Sequence, residues 1–227
     1  YKRQIVGEPS MLKAVTGHKG GNAFSTHVIG FEVHSSIHYQ GVSAIHEGAR
    51  LIQWATEQNE LNRVTTPRPL AAMFDPPYTT WHVGRVSGGT ADNITAKDCH
   101  FNMFYRAVPG DEPARLDQIY IDKVNEVKAD MQAIRSEADI ALKRRFAVPP
   151  LKPEEAGEAE GLVRAITGDN ASHVVSYGTE AGQFQEAGYS AVVCGPGDIA
   201  QAHQPNEYIE VAQFEAGQQF MRDLLAK

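Results

Sequence analysis

"HVVSYGTEAGQFQEAGYSAVVCG" (residues 173–195) alternates between two periodicities, and that alternation decides the fold class. The runs "HVVSYG" (173–178) and "YSAVVCG" (189–195) are short, apolar and valine-rich, as buried strands are. Between them "TEAGQFQEAG" (179–188) reads as a helix. Upstream, "EGLVRAITG" (160–168) is a further helix, and "VAQFEAGQQFMRDLLAK" (211–227) is an amphipathic one that ends the sequence. Helix alternating with strand marks an α/β layer, and "QIVG" (4–7), far away in sequence, supplies its natural partner strand. The connection "GPGDIAQAHQPNEYIE" (195–210) carries one histidine, His203, in a turn-rich loop between strand and helix, where α/β enzymes keep their chemistry.

The middle of the chain has a different order. "GHKGG" (17–21) reads as a glycine-rich turn, followed by a strand over "STHVIGFEVHSS" (25–36). In "GVSAIHEGARLIQWATEQN" (41–59), Val42, Ile45, Ala49, Ile52 and Ala55 fall at helical spacing. A proline-rich connector (65–78) leads to the strand "TTWHVGRVSGG" (79–89) and, after "GGTADN", to the strand "DCHFNMFYRAV" (98–108). Pro109 and Gly110 end that strand, and Leu116, Ile119, Val124, Val127 and Met131 give the next helix its apolar face. A last strand fits "IALKRRFAV" (140–148). Strand–helix–strand–strand–helix–strand is the ferredoxin-like βαββαβ arrangement. It is expected as an insert at 19–140, between a first part of an α/β domain (1–18) and its continuation (141–227). Glu154 and Glu155, in the proline- and acid-rich crossover "PPLKPEEAGEAEG" (149–161), read as a solvated helix start.

Composition narrows the class further. The 227 residues suffice for a real core; 42 % are hydrophobic and 22 % charged, as in ordinary globular proteins. A net charge of −7 without a basic run argues against nucleic acid as a partner. No apolar stretch approaches the roughly 20 residues of a membrane helix, and no secretory signal opens the sequence. Cys99 and Cys194 have neither metal spacing nor the count of a disulfide framework, so a reducing cytoplasm is the expected compartment. The opening "YKRQIVGEPSM" enters directly on a strand-like run without an initiator methionine, and the sequence is expected to be the remainder of a longer chain.

The motifs "IVGEPS", "GHKGG", "VHSSIHYQGVSAI", "GGTADNI", "YRAVPGDE", "YGTEAGQFQEAG" and "CGPGDIAQAHQPNEYI" occur in this order over nearly the whole chain. Together they resemble the acetylornithine deacetylase and succinyl-diaminopimelate desuccinylase family of dimetal metallopeptidases, and most of all its acetylornithine deacetylase branch. The resemblance implies a zinc-peptidase-like α/β catalytic domain, present here in part, with an inserted ferredoxin-like dimerisation domain. It implies a cytoplasmic homodimer with two zinc ions per intact active site, cobalt being a possible substitute. The reaction implied is hydrolysis of an N-acyl amino acid, N-acetyl-L-ornithine to ornithine and acetate first of all, a step of arginine biosynthesis.

By the same resemblance, Glu8 in "GEP" and His203 in "AHQPNE" match metal ligands, and zinc takes both carboxylate oxygen and imidazole nitrogen. His34 in "VHSS" matches a histidine that reaches the partner subunit's active site and stabilises the oxyanion there. The family often has glycine just before it, where this chain has Val33. Asn93 and Arg106 resemble residues that hold the substrate carboxylate, a task suited to arginine's planar fork. Thr179 would cap a helix or present its N–H groups to an anion, and Glu180 would face the substrate amine. His38 reads as a neighbour of the site; His18, His27, His46, His82, His100 and His173 read as structural. The family's remaining ligands and its general base, a His-x-Asp motif and a Glu-Glu pair, precede "GEP", so this chain alone is not expected to hydrolyse anything. Another amidohydrolase or dipeptidase of the family, a non-catalytic dimerisation fragment and a free-standing ferredoxin-like module stay open as alternatives.

Overall fold

The computed structural model describes residues 2–227. In chain order the strands are β1 (Arg3–Val6), β2 (Val15–His18), β3 (Gly20–Ile29), β4 (Thr80–His82), β5 (Val86–Gly88), β6 (Asp98–Ala107), β7 (Asp139–Val148), β8 (His173–Val175) and β9 (Ser190–Val193). The helices are α1 (Ala44–Val64), α2 (Pro113–Ile134), α3 (Glu158–Thr167), α4 (Ala181–Glu186) and α5 (Val211–Leu225). No helix among the described residues is long and apolar enough to cross a membrane. The chain divides into two units, one comprising Tyr1–Gly20, Pro69–Pro76 and Val148–Lys227, the other Gly21–Arg68 and Pro77–Ala147.

The first unit is built on a sheet in the order β1-β9-β2-β8. The valine runs pair as expected: β1 lies parallel to β9 with Val6 opposite Val193, and β2 runs parallel to β8. Ala14, Ala159, Val163, Val192, Cys194 and Phe220 close a core between sheet and helices. α3 stops at Gly168, whose φ of 72° supplies the left-handed residue that ends many helices. The "GHKGG" segment is not a turn. β2 runs on through His18 and β3 begins at Gly20, with His18 and Lys19 fully buried. Its glycines serve close packing instead, since a Cβ on Gly20 would stand 2.8 Å from Pro150 and from the Val148 carbonyl.

The second unit has five strands, in the order β4-β6-β3-β7 with β5 also paired to β6. Numbering only its βαββαβ elements, the first and third strands are central, the ferredoxin-like arrangement. The stretch 79–89, expected as one strand, breaks into β4 and β5, both antiparallel to β6. The strand expected over 25–36 stops at Ile29, because Gly30 passes so close to the next segment that a Cβ would lie 2.2 Å from the Val42 carbonyl. Ser43 caps α1 by accepting the His46 N–H, and Pro113 opens α2 at a position where its missing N–H costs nothing. Leu51, Trp54 and Ala55 of α1 and Tyr120, Val124, Val127 and Met131 of α2 bury their faces with Trp81, Met103 and Tyr105.

One polar network crosses that core. The Asp117 carboxylate, 4 % exposed, accepts hydrogen bonds from Asn22 Nδ2 and from the Tyr105 hydroxyl, each at 2.7 Å, and pairs with Arg144. Removing the acceptor takes the shorter hydrogen bond from two buried donors, leaving Asn22 Nδ2 only the Tyr105 hydroxyl (3.1 Å) and that hydroxyl only the Pro113 carbonyl (3.2 Å). It also strips Arg144 of its carboxylate. A buried polar group left short of a partner costs more than the net value of its bond. Asp117→Ala should destabilise the chain by about 3 kcal/mol in denaturant unfolding. Asp122→Ala, one turn on and bonded to Gln118 at an exposed position, should shift stability by no more than about 0.5 kcal/mol.

Candidate metal and substrate residues

β1 and β9 are parallel neighbours, so both deliver the chain to loops at the C-terminal end of the sheet, where open α/β sheets hold ligands. The two loops are bonded to each other: Ser10 N and Leu12 N donate to the Gly195 carbonyl (3.1 and 2.9 Å), and Met11 N donates to that of Gly197 (2.8 Å). Met11 and Leu12 adopt φ of 55° and 57° to make these bonds. Glu8, in the first loop, is half-buried, and its carboxylate accepts no hydrogen bond among the described residues. The Tyr177 hydroxyl donates to the Pro9 carbonyl at 3.1 Å. Its phenol is pushed up by burial and then by the negative charges of Glu8 and Asp198, so this corner carries a negative potential.

His203 follows a short 3₁₀ turn, Ile199–Gln201, capped by Asp198 through the Ala200 N–H. The backbone of His203 is left-handed, φ 58°, and its N–H donates to the Glu207 carboxylate at 2.8 Å. Its imidazole is exposed and has no hydrogen-bond partner among the described residues. Gly197 (φ 86°) leaves room for Ile209 and Pro9, each less than 4 Å from where its Cβ would be. Glu8 and His203 thus sit on loops that meet at one end of the sheet, though no cluster of three metal-type side chains among the described residues includes either.

Thr179, buried, accepts the Ala181 N–H at 3.1 Å one position ahead of the N-cap of the six-residue α4; the N-cap itself, Glu180, is exposed and makes no side-chain capping bond. A Cβ on Gly182 would meet the Pro149 carbonyl at 2.2 Å. The Gly182 N–H donates to His18 Nε2 (3.2 Å) while His18 Nδ1 bonds the Lys19 carbonyl (3.0 Å), which fixes a neutral ring with its proton on Nδ1. Lys19 is buried with its Nζ 2.6 Å from the Pro76 carbonyl, a role no sequence motif marks. Glu154 is not a solvated helix start: α3 begins at Glu158, and the Glu154 carboxylate accepts from Ser190 Oγ, Ala191 N and Gln185 Nε2.

In the second unit, His34 is not on a strand but caps the 3₁₀ turn Ser35–Gln40. Its Nδ1 accepts the Ser36 N–H and lies 2.8 Å from the Ser36 hydroxyl. A ring that accepts at Nδ1 carries its proton on Nε2, which leaves an exposed N–H donor. The Ser35 N–H donates to the Asn93 carbonyl (2.8 Å) and His34 bridges to Ile94, so His34 and Asn93 share one corner. Thr95 clamps that corner: its hydroxyl accepts from Val33 N at 2.8 Å and donates to the Phe31 carbonyl at 2.9 Å. Thr95 carries no sequence signature, because its role is to bond backbone. Arg106, on β6, is half-buried over the Phe104 ring (4.7 Å) and pairs with no carboxylate among the described residues. Burial lowers its affinity for protons.

A sequence profile of the family described as a peptidase dimerisation domain matches residues 16–132. The chain is 34 % identical over 210 residues to an acetylornithine deacetylase of Myxococcus xanthus, covering 92 % of this chain and 53 % of that protein. To an acetylornithine deacetylase of Erwinia tasmaniensis it is 31 % identical over 228 residues, covering 98 % and 55 %. The chain spans about half the length of these curated relatives. The crystal structure of a tripeptidase from Staphylococcus aureus shares the fold, with a TM-score of 0.71 at 17 % identity over 98 % of this chain and 56 % of that one.

The two cysteines are unsuited to nucleophilic chemistry. Burial raises the Cys99 thiol, and burial with the charge of Asp169 pushes that of Cys194 up to about 12. Because the thiolate is the reactive form, raised values mean an inert thiol at pH 8. Neither cysteine should react with Ellman's reagent at pH 8 in the folded chain, and both should react once guanidinium unfolds it, as read at 412 nm.

Proposed function

Because the chain belongs to the M20 peptidase family, whose dimerisation domain it carries at residues 16–132, we propose that it is part of a metal-dependent amidohydrolase acting on N-acyl amino acids. N-acetyl-L-ornithine is the substrate this reading names first, with arginine biosynthesis its setting and the cytoplasm its compartment. The observation that carries it is the meeting of the Glu8 and His203 loops at the C-terminal end of the β1–β9 pair, together with similarity to acetylornithine deacetylases. A half-buried carboxylate and an exposed imidazole, neither with a hydrogen-bond partner among the described residues, are the donor types zinc takes. The negative field around Tyr177 suits a cation. Glu8 and His203 would each ligate one of two zinc ions. Such a pair supplies Lewis-acid polarisation of the acyl carbonyl and a water of lowered pKa.

The remaining ligands and the general base come, in this reading, from residues outside these 227. The apolar surface of α5 supports this: Val211, Phe214, Met221 and Leu225 are 52–83 % exposed. Beside it an open groove of about 590 Å³ is lined by Ile5, Phe214, Phe220 and Leu224. An exposed apolar stripe on a helix is a surface made to pack against another element. The second unit, Gly21–Arg68 with Pro77–Ala147 rather than the uninterrupted 19–140 expected from the sequence, would pair two subunits into a homodimer. His34 of one would reach the reacting carbonyl of the other with its Nε2–H. Arg106, half-buried and with no carboxylate partner among the described residues, would take the α-carboxylate bidentately, and Asn93, in the His34 corner, would border the substrate there. Thr179 and Glu180 would border the other end of the substrate.

The reading is tested with the enzyme comprising this chain and the segment preceding it in its gene, assayed for release of ornithine from N-acetyl-L-ornithine. Hydrolysis is expected, together with loss of about 10³-fold in kcat/KM and of bound zinc in His203→Ala. Preference for a dipeptide would favour the dipeptidase alternative, and full activity in His203→Ala would overturn the assignment of that ligand. The two candidate roles in the other unit separate kinetically. His34→Ala should lower kcat by about 10²–10³-fold with KM changed little. Arg106→Lys should chiefly raise KM, by about tenfold or more, because a point charge cannot replace the guanidinium fork.

A further inference from the structure

Three metal-type side chains converge on the second unit, none of them among the ligands assigned above. His27 stands on β3, and Asp98 and His100 stand two residues apart on β6, its neighbour in the sheet. Residues two apart on a strand share a face, and along β6 the buried positions Cys99, Phe101 and Met103 alternate with Asp98, His100 and Asn102. The three therefore lie on the face turned away from the helix-covered core. One donor atom of each lies within 4.8 Å of the others. His27 Nε2 is 2.7 Å from Asp98 Oδ1, and the two imidazoles stack with centroids 4.0 Å apart at 22°. From the sequence alone both histidines read as structural. A structural role accounts for the His27–Asp98 bond but not for a second imidazole, exposed, bringing its nitrogen to the same point.

We propose that His27, Asp98 and His100 form a surface binding site for a divalent transition-metal ion, distinct in its residues from the Glu8–His203 pair. Two imidazoles and one carboxylate select ions of the zinc, nickel and copper class over calcium and magnesium, which prefer all-oxygen sets. Bond lengths near 2.1 Å put tetrahedral ligand atoms about 3.4 Å apart. Rotation of half-exposed side chains covers the difference, without backbone movement. The backbone itself is fixed, since the Asp98 carbonyl accepts the Gly89 N–H at 3.1 Å and His100 is held in register opposite Ser87. Water would complete the coordination.

The test is equilibrium dialysis of the 227-residue chain against zinc at pH 7.5, in a Glu8→Gln/His203→Ala background that removes the other candidate ligands. This background chain should retain one zinc ion per molecule. Adding His100→Ala should weaken binding by at least about tenfold, and adding His27→Asn should do the same. Zinc should raise the melting temperature of the background chain but not of the His100→Ala chain. His100 is exposed, so melting in EDTA should stay unchanged on its replacement and report intact folding. A background chain that binds no zinc, or a His100→Ala chain that binds it equally well, overturns the proposal.

Discussion

A Cβ on Gly195 would stand 2.2 Å from the carbonyl oxygen of Gly7 and 2.6 Å from that of Glu8. Only a residue without a side chain lets these two backbones touch, and the geometry of the first unit's strand ends depends on that contact. Parallel pairing of β1 with β9 brings the loops to the same end of the sheet. The glycine then lets them lock through three backbone bonds and the Ser10 hydroxyl, which accepts the Gly195 N–H at 3.1 Å. Left-handed backbone at Met11 and Leu12 is the conformational cost, about 1–2 kcal/mol per residue. The hydrogen bonds gained there offset it.

The second unit uses the same device for another purpose. Gly30 and Gly41 let the segment after β3 fold back on itself, a Cβ at Gly41 meeting Val33 at 2.5 Å. Thr95 then satisfies the backbone groups that this reversal leaves without a ladder. The result is a corner in which the His34 ring is held by Ser36 at one nitrogen and left open at the other. A donor preset in this way would need no reorganisation in the oxyanion role proposed for His34.

The alternating α/β layer and the βαββαβ order were legible in the sequence because valine runs and helical spacing report burial directly. Misreadings arose where glycine did two jobs. "GHKGG" resembles a turn by composition, yet its glycines permit close strand packing, and the buried His18 and Lys19 between them are held by carbonyls that no periodicity reveals. Glu154 was misplaced for a similar reason, since its partners Gln185, Ser190 and Ala191 lie more than thirty positions downstream. Glu8 and His203 could be singled out only by resemblance. Their spacing carries no information until β1 and β9 are paired. Asp198 and Tyr177 were invisible because they act on the site through charge and packing, not through a motif.

The conformation of His203 connects local strain to ligand availability. A histidine at φ 58° tolerates the left-handed region better than a branched residue would, and Asn206 at 61° repeats the choice three residues on. Both are residue types enriched there. The loop is held through its backbone: the Glu207 carboxylate takes the His203 N–H, and Ile209 packs against Gly197. Because the main chain does the holding, the imidazole is spent on no structural bond among the described residues, and both of its nitrogens stay available. The half-buried Glu8 carboxylate is in the same condition at the facing loop. A fold that anchors its candidate ligands by backbone alone keeps their donor atoms free of internal hydrogen bonds, so an ion need displace no protein partner to bind them.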